Sequence, residues 1–83
     1  MSAILYGLAT CPYCRAEKKY LTKHSVDFEY VEVDKLDEDE KDRVVQHVRD
    51  NTGGTLFPIL EVNDKFIIGF DKKKIIAEFD LDV

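Results

Sequence analysis

Ala3-Ile4-Leu5-Tyr6-Gly7, followed shortly by Cys11-Pro12-Tyr13-Cys14, is the stretch from which the fold of this chain can be read. The apolar run is short and ends at a glycine, as a buried strand does, so Ala3 to Gly7 is taken as the first strand. Gly7 to Thr10 makes a loop. Pro12 then suits a first helical turn, where the N–H it lacks would have had no partner. The helix is expected from about Tyr13 to His24, with Ala16, Tyr20 and Leu21 on one face.

Strand, loop and helix thus bracket the only two cysteines in the sequence. A disulfide across two intervening residues closes a very small loop and restrains the unfolded chain little, so stapling is a poor reason for the pair. In a reducing compartment such a pair is more often catalytic or metal-binding than structural. A thiol attacks as its thiolate, and an ordinary cysteine ionises only near ~8.5. Cys11 is placed at the N-terminal edge of the helix, where backbone N–H groups favour a negative sulfur. Arg15, Lys18 and Lys19 add positive charge along the same helix, and Cys14 lies one turn further in. Cys11 is therefore the expected nucleophile and Cys14 the resolving thiol. Pro12 stiffens the turn, and Tyr13 offers a flat apolar surface beside the attack site.

Working outward, Asp27 to Val33 reads as a second strand with both faces partly covered. Six acidic residues crowd Asp34 to Asp42 and lead into a second helix, about Asp39 to Asp50, with Val44, Val45 and Val48 on one side. Acidic groups at a helix start oppose the macrodipole favourably, so this run is a solvated helix start, with a partner surface as the alternative. Asn51-Thr52-Gly53-Gly54 is a loop. Ile59 to Val62 and Lys65 to Ile68 form a hairpin around an Asn63-Asp64 turn, and Gly69 ends it. A last helix, about Asp71 to Phe79, turns Ile75, Ile76 and Phe79 inward. The order is β-α-β-α-β-β-α. The first β-α-β unit implies parallel strands with a right-handed crossover. The hairpin adds antiparallel strands, giving an α/β fold with a four-stranded mixed sheet and helices on both faces.

At 83 residues the chain supports one domain, residues 1–83, with a modest core. A hydrophobic content of 45% suits a globular chain, and a net charge of −5 gives no electrostatic case for nucleic acid. No apolar stretch approaches the ~20 residues that span a bilayer. The N-terminus carries no basic segment followed by a long apolar one, so a cytoplasmic protein acting as a monomer is expected. Intramolecular zinc is disfavoured because a second ligand pair is absent, and His24 and His47 are not closely spaced. His24 is expected as a cap-region surface residue and His47 as an exposed one. Phe66 is assigned to the core, whereas Phe70 is either core or substrate-facing. Lys72-Lys73-Lys74 solvates the start of the last helix, against the macrodipole, or attracts an acidic partner.

The combination of Cys11-Pro12-Tyr13-Cys14, Phe57-Pro58 and Ile68-Gly69-Phe70-Asp71 resembles the glutaredoxin branch of the thioredoxin superfamily over nearly the whole chain. The resemblance implies a thioredoxin-like fold and a cis peptide bond before Pro58 facing the cysteines. It also implies that the Phe57 backbone pairs with an extended peptide or thiol substrate, near Gly69, Phe70 and Asp71. Two positions depart from glutathione-using members. Leu8 stands where a basic residue is usual, and Ile68 replaces the first of two glycines, crowding the glutathione backbone. Asp71 matches the acidic position that receives the γ-glutamyl amine. Gly69-Phe70 looks like the NrdH-redoxins, which take electrons from thioredoxin reductase and reduce ribonucleotide reductase. Phe57-Pro58 is similar to a small glutaredoxin-like family of anaerobic bacteria and archaea.

The expectation is a dithiol–disulfide oxidoreductase acting on disulfide-containing proteins, with ribonucleotide reductase one such target by resemblance. Thioredoxin reductase is its expected electron donor, and glutathione is the alternative reductant. No tightly bound cofactor is expected. An iron–sulfur cluster or metal-binding module using the same thiols is the alternative of another class.

Overall fold

The computed structural model describes residues 3–81. In chain order it contains β1 (Ala3–Gly7), α1 (Pro12–Lys23), β2 (Phe28–Glu32), a 3₁₀ turn at Val33–Lys35, and α2 (Glu38–Thr52). There follow β3 (Ile59–Val62), β4 (Lys65–Ile68) and α3 (Lys72–Phe79). The strands form one sheet in the order β2-β1-β3-β4. β1 runs parallel to β2, and β1–β3 and β3–β4 are antiparallel.

The alternation of side chains along the strands builds a core on each face of the sheet. Ala3 and Leu5 of β1 join Leu60, Val62 and Ile67 on one face, covered by Leu21 of α1 and Ile75 of α3. Tyr6 and Ile59 face the other way and are covered by Val48 of α2, with Val33 completing the cluster. Leu5, Leu21, Leu60 and Ile75 are completely buried, each such side chain contributing ~1.5–3 kcal/mol. Phe66, expected in the core, is partly buried against the second cluster.

Local chemistry fixes the element ends. Asn63 and Asp64 both adopt positive φ, 51° and 63°, the conformation of a two-residue turn whose twist matches a hairpin. Asp37 caps α2 by accepting the Glu40 N–H at 2.8 Å, and Gly53 closes it at φ 79°. These two caps explain why α2 runs from Glu38 to Thr52, beyond the expected Asp39 to Asp50. β2 stops at Glu32 instead of Val33 because the chain enters the 3₁₀ turn there. Asp71 lies outside α3 as its N-cap, accepting the Lys74 N–H at 3.2 Å.

The inward face of α1 corrects the sequence expectation. Ala16 is exposed, and the buried positions are Cys14, Glu17 and Leu21. Their spacing of three and then four residues is the helical repeat, so the phase that buries Cys14 and Leu21 also buries Glu17. None of the helices among the described residues is long and apolar enough to cross a membrane.

Candidate active site

Strand register assembles the site at one end of the sheet. Gly7 at the end of β1 pairs with Glu32 at the end of β2. Tyr6 pairs with Ile59 at the start of β3, and Ile59 with Ile68 at the end of β4. The loop carrying Cys11, the Phe57-Pro58 approach to β3 and the Gly69-Phe70-Asp71 exit from β4 therefore emerge together. The Gly69 N–H donates to the Pro58 carbonyl at 2.7 Å, tying two of these segments. The Ala9 N–H donates to Asp34 Oδ1 at 3.0 Å, joining the first loop to the 3₁₀ turn. The Phe57–Pro58 bond is cis, as the resemblance implies, and Pro58 is buried.

Cys11 is the N-cap of α1, with Pro12 as the first helical residue. Its Sγ accepts the Cys14 N–H at 3.2 Å. This is the place of a capping oxygen, filled here by sulfur, and an acceptor in that position is favoured more strongly when it is negative. Cys11 is partly exposed, whereas Cys14 is fully buried. Cys14 Sγ accepts the Leu8 N–H at 3.4 Å. Burial first, then the hydrogen bond with Cys11, pushes the Cys14 thiol up to about 12. The two sulfurs are thus unequal, with one at the surface on the helix N-terminus and one sealed beneath it and held protonated.

Gly7 makes this arrangement sterically open. A methyl group there would stand 2.9 Å from Cys14 Cβ, 3.1 Å from Tyr30 Oη and 3.2 Å from Cys14 Sγ. Only a glycine at the end of β1 lets Cys14 lie against the strand. Tyr30 of β2 reaches the same spot with a buried, unpartnered hydroxyl, and its pKa is raised by burial and by the nearby Cys14.

Tyr13 beside the sulfurs is 69% exposed. Leu56 is 73% and Ile68 45% exposed, and the two line a shallow depression with Thr52, Gly53 and Gly54. Phe57 packs partly against the α2-side cluster. Phe70 is partly buried against the α1-side cluster, edge-on to Tyr20 at 5.6 Å, and its ring also lines an open groove with Lys19 and Lys72. The Asp71 carboxylate caps α3. His47 binds Glu61 Oε1 at 2.8 Å, and the Tyr6 hydroxyl donates to the same oxygen at 2.9 Å. This links α2 to β3 away from the dithiol. His24 lies at the C-terminus of α1 against the Tyr20 ring. Among the described residues, no three histidine, cysteine or carboxylate side chains group as a metal site.

Four residues of this region escaped the sequence reading: Gly7 as the seat of Cys14, Glu17, Tyr30 and Leu56. Glu17 left a trace in the sequence, being three residues after Cys14 and four before Leu21, but its charge argued for the surface. The signal for Gly7 was its place at the strand end just before the cysteine loop.

The glutaredoxin family model matches residues 3–67. An uncharacterized glutaredoxin-like 8.6 kDa protein in the rubredoxin operon of Clostridium pasteurianum is 32% identical over 71 residues, covering 86% of this chain and 88% of that one. The methanoredoxin of Methanosarcina acetivorans superposes with a TM-score of 0.88 at 42% identity, over 93% of this chain and 82% of its own. A glutaredoxin from Methanosarcina mazei Go1 gives 0.86 at 43% identity, over 92% and 75%. A sequence match over most of its length and a shared thioredoxin-like fold place this chain in the glutaredoxin family, the dithiol–disulfide oxidoreductases that act through a Cys-x-x-Cys pair.

Proposed function

We propose that Cys11 is the attacking sulfur and Cys14 the resolving one, in a cytoplasmic protein-disulfide reductase of the NrdH-redoxin kind recharged by a thioredoxin reductase. The inequality of the two sulfurs carries this reading. Cys11 is reachable and receives the helix N-terminal N–H, whereas Cys14 is completely buried and held as a thiol. Cys11 attacks a substrate disulfide, and one substrate sulfur leaves. Cys14 then attacks Cys11 Sγ, expels the second substrate sulfur and leaves the Cys11–Cys14 disulfide. Two electrons pass from the dithiol to the substrate, and the reductase returns them.

Support for a protein substrate comes from the rim. Tyr13, Leu56 and Ile68 expose apolar surface near the site, which suits an extended polypeptide better than a charged tripeptide. Ile68 stands where a glycine would open space for glutathione, and Leu8 offers no charge to its carboxylate. The backbone of Phe57 and the Gly69-Phe70-Asp71 segment are the proposed substrate contacts, with ribonucleotide reductase within the substrate class. α1 and α3 cover the same face of the sheet. They expose Arg15, Lys18, Lys19 and Lys23, with Lys72 to Lys74, in a chain of net charge −5. An acidic surface around the substrate disulfide matches that face.

A coupled NADPH assay tests the donor. Turnover is expected with thioredoxin reductase, and turnover only with glutathione and glutathione reductase overturns the assignment in favour of a glutathione-dependent glutaredoxin. For the sulfurs, Cys14→Ser accumulates a mixed disulfide with substrate while Cys11→Ser is inert. Full activity in Cys11→Ser removes the assignment. A brown dimer from anaerobic purification, inactive on disulfides, would instead mark a cluster-binding module.

A further inference from the structure

Glu17 occupies the least expected position for a carboxylate in this chain. Its side chain is completely buried, and neither Oε1 nor Oε2 has a hydrogen-bond partner. Buried polar groups are almost always paired, and an unpaired one costs stability unless something retains it. It lies three residues after Cys14 on the inward face of α1. Residues at that spacing are neighbours on a helix, and long side chains lean back toward the N-terminus. The carboxyl is therefore directed toward the resolving cysteine, and its charge is felt at the Cys14 sulfur. Two further groups border Cys14. Cys11 Sγ accepts the Cys14 N–H, and Tyr30 of β2 brings a second unpartnered polar group, its hydroxyl. Lys18 caps the Tyr30 ring, with Nζ 4.6 Å from its centroid. Beneath the exposed sulfur, then, sit three proton-carrying groups with little access to water.

We propose that Glu17 is the proton acceptor for the Cys14 thiol when Cys14 resolves the mixed disulfide, and that it returns the proton when the pair is reduced. This rests on the assignment of Cys11 as attacking and Cys14 as resolving sulfur. In the mixed disulfide, Cys11 Sγ is bonded to a substrate sulfur. The Cys14 S–H proton passes to the Glu17 carboxylate, and the electron pair left on Sγ forms the Cys11–Cys14 bond. The bond from Cys11 to the substrate sulfur breaks, and its electron pair leaves with that sulfur, which is protonated from water. On reduction a donor thiolate attacks Cys11 Sγ, Cys14 departs with the electron pair of the disulfide, and the Glu17 carboxyl protonates it.

Two physical reasons favour this role. A Cys14 thiolate beside an ionised Glu17 would place two like charges in an apolar enclosure, whereas one shared proton keeps a single charge there. Burial also raises the Glu17 carboxyl to about 8. That makes it a far better proton acceptor from a thiol than an ordinary carboxylate near ~4.3, and suits a base working near neutral pH. The Tyr30 hydroxyl, held protonated and without a partner in the resting arrangement, is a donor left unused beside this pair.

The test uses an aromatic disulfide whose two halves leave as coloured thiolates, one at each step, followed in a rapid mixer against pH. The first phase reports attack by Cys11 and the second reports resolution by Cys14. Glu17→Gln is expected to slow the second phase by about tenfold or more and to abolish its rise with pH near 8. The first phase keeps its rate, and Glu17→Asp retains the pH-dependent rise. A second phase at wild-type rate, or one slowed with its pH profile intact, overturns the proposal. Loss of the first phase in Glu17→Gln overturns the proposal, whereas a first phase that survives in Cys11→Ser overturns the sulfur assignment on which it rests. Should Glu17→Gln not fold, the infrared carboxyl band of the wild-type protein is titrated in the reduced and the oxidised state. Different midpoints support proton sharing with Cys14, and identical midpoints overturn it.

Discussion

The burial of Glu17 makes the stability of this protein fall as pH rises through neutrality. In the unfolded chain this glutamate ionises near 4.5, and in the folded chain near 8. Between those values the folded state binds more protons than the unfolded state, so the slope of unfolding free energy against pH is negative. The stability is fully present below about 4.5 and lost as pH rises toward 8. Each pH unit in that window removes about 1.4 kcal/mol, or about 3 kcal/mol by pH 7 and about 5 kcal/mol above pH 8. Small domains have only about 5–15 kcal/mol in total, so the effect is large. Glu17→Met keeps the length of the side chain and removes the ionisable group. Urea unfolding of both reduced proteins at pH 5.5 and 8.5, with linear extrapolation, measures the difference. The advantage of the variant should grow by about 3 kcal/mol between the two conditions, while thiol and surface titrations shared by both proteins cancel. A difference that does not change with pH would show that Glu17 is hydrated or paired in solution, and the reasoning would fail.

Three further outcomes follow from the geometry. Gly7→Ala drives a methyl group to within 2.9 Å of Cys14 Cβ, an overpacking that costs about 1–3 kcal/mol, and calorimetry should show a lowered Tm. Asp37→Ala removes the acceptor of the Glu40 N–H, which costs about 1 kcal/mol and lowers Tm by about 4–8 °C in a domain of this size, without changing disulfide reduction. Ile68→Gly uncovers the position beside Gly69. Turnover with glutathione and its reductase should rise while turnover with thioredoxin reductase does not, which the coupled NADPH assay separates.

Most of the fold was legible because its signals are local. The β3–β4 hairpin follows from two apolar runs around Asn63-Asp64, whose side chains tolerate the positive φ that the turn requires. The cysteine motif located the start of α1 because proline and a capping acceptor act within one turn. What was not legible depends on phase and on neighbours distant in sequence. Ala16 and Glu17 differ by one residue, a rotation of about 100° around the helix, and apolar character pointed to Ala16. The phase was instead set by Cys14 and Leu21, which the sheet buries. The seat at Gly7 needed Tyr30 and Cys14 together, which only the β1–β2 register provides.

That the one clear conflict between residue type and burial in α1 falls one turn from the resolving sulfur bears on its cause. Replacing a buried charged side chain by a well-packed apolar one of similar volume is often neutral or stabilising. If Glu17 were a tolerated accident, it could as well have replaced Leu21 or Ile75, which cover the same sheet face. It stands instead beside the one thiol that must lose a proton while shut away from water. Places where a sequence breaks its own local rules are where function is expected to oppose stability, and here the opposing terms concern the same proton. The carboxyl that weakens the fold above pH 5 is the group whose raised proton affinity lets Cys14 react, so the stability lost and the rate gained should vanish together in Glu17→Gln.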